Sequence, residues 1–123
     1  MIESLSAITL FTRDMKRSVA FYEKLGFKLK YGGGDADFSS FFAGSSFLNL
    51  MQSSPDAEFA FWGRAIFHVT DVDSCHAAAV AAGLQPSFAP RDAAWGERYF
   101  HILDPDGHEI SLARPLDLRP DRL

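Results

Sequence analysis

The chain has a single cysteine, Cys75, among its 123 residues, so no disulfide can form within it, and the cytosol is the compartment such a composition suits. No zinc-type or nucleophile spacing surrounds that thiol, and its place in an alanine-rich helical stretch marks it as structural. Positive charge is also in short supply. Twelve Lys and Arg stand against 16 Asp and Glu, a net charge of −4, which argues against nucleic acid as the main partner and mildly favours cationic ligands. No apolar run reaches membrane-spanning length, and the first residues lack the basic start and sustained apolar stretch of a secretory leader, so no membrane contact is expected. What remains, 47% hydrophobic and 23% charged residues, is the composition of one soluble globular domain spanning 1–123. Aromatics make 14%, with 12 Phe, more than a core strictly needs and enough to line an apolar ligand pocket.

The most telling stretch runs from Trp95 to Ala113. Two strand-like runs flank Asp104-Pro105-Asp106-Gly107, where Pro105 presets a turn, Asp104 can bond its own backbone and Gly107 accepts a positive φ. A type I turn closed by that glycine pairs Asp104 with His108. His101 then lies opposite Ser111 and Tyr99 opposite Ala113 on one face, with Ile102, Ile110 and Leu112 on the other, buried one. A strand pair presenting Tyr99, His101, Glu109 and Ser111 together is a place to look for a site.

The rest of the chain reads as one pattern used twice. Ser6–Phe11 is a strand, Asp14 caps a helix over Met15–Leu25 and Gly26 stops it, with Met15, Val19, Tyr22 and Leu25 as its inner stripe. Strands follow at Phe27–Tyr31, Phe38–Phe42 and Ser46–Gln52. Gly32-Gly33-Gly34 reads as a hairpin loop and not a phosphate cradle, since no helix start follows it. The pattern restarts with a strand at Ala65–Val69, a helix capped by Asp71 or Asp73 and running Asp73–Ala82, a strand at Leu84–Phe88, and the final hairpin. Asp14 and Asp71, Gly26 and Gly83, and Leu10 and Phe67 are each 57 positions apart. The expected fold is therefore α+β: two βαβββ modules, about 5–52 and 62–115, whose curved mixed sheets form a ligand cup with the helices on the outer face.

With those residues in view, the chain resembles the vicinal oxygen chelate superfamily, which includes glyoxalase I, bleomycin resistance proteins, fosfomycin-modifying enzymes and extradiol dioxygenases. Arg13 to Phe27, Phe67 to Asp73, and Trp95 through Leu112 carry the resemblance. It implies paired modules closing around a cup, often across a homodimer interface. It also implies four metal-ligand positions, which fall here on Ala7, Asn49, Arg64 and Ser111. Alanine cannot ligate, arginine is a fixed cation, and Asn and Ser are weak neutral donors, so no metal and no other cofactor is expected there. The segment Trp95-Gly96 before the last hairpin is similar to the bleomycin-resistance branch, which acts by sequestering a drug.

The candidate ligand-binding residues are thus Asn49, Arg64, His68, Trp95, Tyr99, His101 and Ser111. Arg64 either anchors an anionic or carbonyl-bearing ligand or pairs with Glu109, and Trp95 either packs at the rim or offers a stacking surface. His76 and His108 read as surface or structural. The expected function is metal-free binding or sequestration of an aromatic or antibiotic-like small molecule by a cytoplasmic homodimer. The competing expectation is a lyase, isomerase or dioxygenase that uses His68 or His101 as a base, or places both with Glu109 around a non-standard metal. A Ser111–His101 dyad is a further, weaker alternative.

Overall fold

A computed structural model describes residues 1–116 of the chain. Its elements follow in the order β1 (Ala7–Thr12), α1 (Met15–Leu25), β2 (Lys28–Tyr31), β3 (Phe38–Ala43), β4 (Ser46–Gln52), β5 (Arg64–His68), α2 (Val72–Ala81), β6 (Arg91–Asp92), β7 (Glu97–Leu103) and β8 (Glu109–Pro115). The fold is α+β, with two four-stranded mixed sheets ordered β1-β4-β3-β2 and β5-β8-β7-β6. In each, the first strand runs parallel to the last and the remaining pairs are antiparallel, so the same βαβββ unit occurs twice. The chain divides into two compact units. One comprises Met1–Trp62 with Asp104–His108, and the other Gly63–Leu103 with the described residues from Glu109 onward.

In the first unit α1 forms where the sequence places it. The Asp14 side chain accepts from Arg17 N, and Gly26 ends the helix at φ 111°, a left-handed value that glycine adopts without strain. Met15, Val19, Tyr22 and Leu25 are buried, joined by Ser18 and Phe21, against Leu10, Phe41, Leu48 and Leu50 of one sheet face. The other face keeps Phe11, Phe42 and Met51 partly exposed.

The turn Asp104–His108 completes this unit with buried polar contacts. Asp104 Oδ2 accepts from the Tyr22 hydroxyl at 2.7 Å, and its Oδ1 accepts from the backbone N–H of Asp106 and His108, both at 2.9 Å. Asp106 accepts from Arg13 N and the Arg13 guanidinium through Oδ1 and from the Ser18 hydroxyl through Oδ2. Burial raises the Asp104 pKa despite those donors, and burial beside Asp104 raises that of Tyr22 well above the ordinary phenol value. Trp62 Nε1 donates to His108 Nδ1 at 2.7 Å, so the other ring nitrogen carries the proton it shares with Phe11 O at 2.8 Å. His108 is structural, as expected.

In the second unit α2 packs on the face of Phe100, which meets His76 edge-on at 5.1 Å. The helix starts at Val72, capped by Asp71 and not Asp73, and buries only Val72 and Ala79. The hairpin has the expected register: His101 opposite Ser111, Tyr99 opposite Ala113, and Gly107 at φ 87°. Ile102, Ile110 and Leu112 are buried beneath it. One strand is misplaced in the sequence reading. Leu84–Phe88 is irregular, and the short β6 takes the sheet edge instead. Pro86 and Pro90 have no N–H to give a ladder, so only Ser87 N reaches β7, donating to His101 O at 2.8 Å.

Candidate functional site

The face of the second sheet opposite α2 gathers six of the seven candidate residues. Strand alternation puts Arg64, Ile66 and His68 of β5 beside Glu109, Ser111 and Ala113 of β8, which in turn face Leu103, His101 and Tyr99 of β7. Trp95, in the turn before β7, lies 5.4 Å from Tyr99 between ring centroids. Asn49 belongs to the first unit. There it stands on the open face of that sheet between Thr9 and Ser40, and its Nδ2 donates to Thr9 Oγ1 at 3.2 Å.

Arg64 pairs with Glu109, donating from Nε to Oε1, with side chains 41% and 18% exposed. Arg64 thus makes the ion pair that one of its two expected readings named. The same Glu109 oxygen lies 3.7 Å from His101 Nδ1. His101 has its pKa lowered, first by burial and then by the neighbouring Arg64 and Arg91 cations, with Glu109 opposing. At neutral pH the imidazole is uncharged. His68 contacts Glu97 at 3.1 Å, and the other Glu97 oxygen accepts from the Trp95 indole at 3.0 Å. The two histidines are thus served by different carboxylates. Among the described residues no group of three His, Cys, Asp or Glu is placed to hold a metal ion.

The four family metal positions do not fit a metal either. Ala7 offers no donor atom, Asn49 is already bonded to Thr9, Arg64 is a cation, and Ser111 is a buried neutral hydroxyl. His101 leans toward Glu109 and not Ser111, so the serine has no base at hand.

Two residues that the sequence reading missed complete the face. Phe88 packs against Tyr99 at 5.5 Å and His101 at 5.2 Å. Arg91 lays its guanidinium 3.8 Å from the Phe88 ring centroid and 5.4 Å from that of Tyr99, and its Nε donates to the Tyr99 hydroxyl at 3.1 Å. The result is a continuous aromatic surface, Phe88, Tyr99, His101 and Trp95, edged by two guanidinium groups. No periodicity marks Phe88 or Arg91, which lie in an irregular segment and a two-residue strand. Their proximity to β7 is a tertiary fact.

The fold and this face define a paired-module α+β protein whose second sheet carries an aromatic cluster beside two guanidinium groups. Residues 4–112 match the model of the Glyoxalase/Bleomycin resistance protein/Dioxygenase superfamily, and the chain belongs to that superfamily. A comparison with curated protein sequences finds no match. Solved structures similar to it include a glyoxalase/bleomycin resistance protein/dioxygenase from Nocardioides, at 22% identity, covering all of this chain and 91% of that one, TM-score 0.72. A bleomycin-binding protein complexed with bleomycin is 25% identical, with 92% and 98% covered and a TM-score of 0.73. A bleomycin resistance determinant encoded on the transposon Tn5 is 24% identical over 92% and 98%, with a TM-score of 0.75.

Proposed function

We propose that this protein binds and sequesters a planar aromatic, antibiotic-like small molecule on the open face of its second sheet, as a metal-free cytoplasmic homodimer. The observation that carries the reading is the run of four rings, Phe88, Tyr99, His101 and Trp95, bordered by the Arg64 guanidinium. Ring faces supply contact area at low entropic cost, while the Nη donors of Arg64 orient a carbonyl or similar acceptor. The likeness to a bleomycin-binding protein supports binding as the mode of action. Bleomycin itself is disfavoured as the ligand, because Arg64 and Arg91 on this face oppose a polycation.

The test is a thermal-shift screen of planar aromatic compounds, followed by titration of any hit. Trp95→Ala is expected to weaken the hit by roughly 1–3 kcal/mol. Arg64→Ala is expected to cost about tenfold in affinity, less than a buried guanidinium would, since the side chain is 41% exposed and already paired. Unchanged binding in both variants, with the fold intact, would remove the site from this face. A catalytic reading keeps one support, the His68–Glu97 contact at 3.1 Å, in which a carboxylate orients an imidazole as a base. Solvent deuterium entering a bound carbon acid, lost in His68→Gln, would favour it.

A further inference from the structure

We infer that the ligand is an aromatic anion, a carboxylate or an equivalent planar oxyanion attached to the ring system, and that Arg91 is its counter-ion. This inference rests on the binding reading above and names its ligand class. The carboxylates around the open face of the second sheet are already engaged by groups other than Arg91. Glu109 is ion-paired with Arg64, and both oxygens of Glu97 are engaged in hydrogen bonds, one with His68 and one with the Trp95 indole. Asp92, next to Arg91 in sequence, alternates to the opposite face and is held with Asp73 by Arg98. Arg91 therefore has no carboxylate partner among the described residues, and its one hydrogen bond goes to a neutral phenol, Tyr99.

Its place matters as much as its freedom. The guanidinium is stacked on Phe88 and braced by Tyr99, which accepts from its Nε and leaves the two Nη groups with no carboxylate partner among the described residues. A fixed fork of that kind recognises a planar oxyanion in two parallel bonds, and little rotamer freedom is left to lose on binding. The ligand that satisfies both halves has an aromatic system lying along the exposed Trp95 ring, which packs on the buried Tyr99, and an oxyanion reaching Arg91.

The experiment compares 2-naphthoate with its neutral isostere 2-naphthamide, titrated against the full chain at low salt by calorimetry. Naphthoate is expected to bind about tenfold more tightly than the amide, the preference shrinking as salt is raised. Arg91→Gln is expected to abolish that preference, so that the two compounds bind it alike, and Arg91→Lys to restore part of it. Equal affinity for the two compounds would overturn the anion while leaving the aromatic site standing. A preference that survives in Arg91→Gln would overturn the assignment to Arg91. Failure of both compounds to bind up to their solubility would overturn this inference and the binding reading together.

Discussion

At the residue scale, His101 is the group whose chemistry the fold has altered most usefully. Burial, Arg64 and Arg91 lower its pKa below the ordinary imidazole value, so the folded chain resists protonation that the unfolded chain accepts. A depressed imidazole contributes stability fully above the unfolded value, and that contribution falls away as pH drops from about 6.5 through the folded pKa. Denaturant unfolding between pH 5 and 7 is expected to show that acid-side loss, and His101→Gln to flatten it. The neighbours act in opposite senses. Followed by the NMR shift of the ring, Arg64→Gln should move the His101 titration upward and Glu109→Gln downward. No movement in either variant would mean that burial alone sets the value. The sequence put His101, Tyr99 and Ser111 on one face because strand alternation is a local rule. It could not weigh Arg64 between anchor and ion pair, since that depends on where Glu109 lies across the β5–β8 pairing.

Among the elements, the two helices show what a repeat preserves and what it lets drift. The cap, the stop and the strand before each helix keep their 57-residue offset, which is why α1 and the last hairpin were legible in sequence. Across the same offset, Ser18 and Tyr22 correspond to Cys75 and Ala79. The hydroxyls that bind Asp106 and Asp104 in the first unit thus have no hydroxyl counterparts in α2. Six α1 residues are buried against two in α2. Amide exchange is expected to be faster in α2 than in α1 by opening at lower free energy, and equal protection would contradict this. Tyr22→Phe should lower the unfolding free energy by about 2 kcal/mol by taking a hydroxyl from a buried carboxylate, whereas Tyr31→Phe, 63% exposed, should leave it nearly unchanged. The turn chemistry of Asp104-Pro105-Asp106-Gly107 was readable; that its two carboxylates are buried acceptors for a helix some 80 to 90 residues earlier was not. Turn propensity explains both aspartates locally, so nothing local pointed further.

For the whole molecule, the apolar residues left on the first sheet's open face, Phe11, Phe42 and Met51 at 40–49% exposure, are surface that a monomer in water would do better to cover. Light scattering is expected to give twice the chain mass of 13.6 kDa, and a monomer at micromolar concentration would refute the dimer. The turn Asp104–His108 carries a consequence for how the chain is made. During synthesis α1 and its sheet leave the ribosome long before Asp104 and Asp106 exist, so Tyr22 must wait with its hydroxyl answered only by water, while Ser18 and Arg13 have only Thr12 and the Ala57 carbonyl. The core begun first is finished only once residues 104–108 are made, and a chain stopped at Leu103 should hold the first sheet's strands yet leave α1 open to exchange.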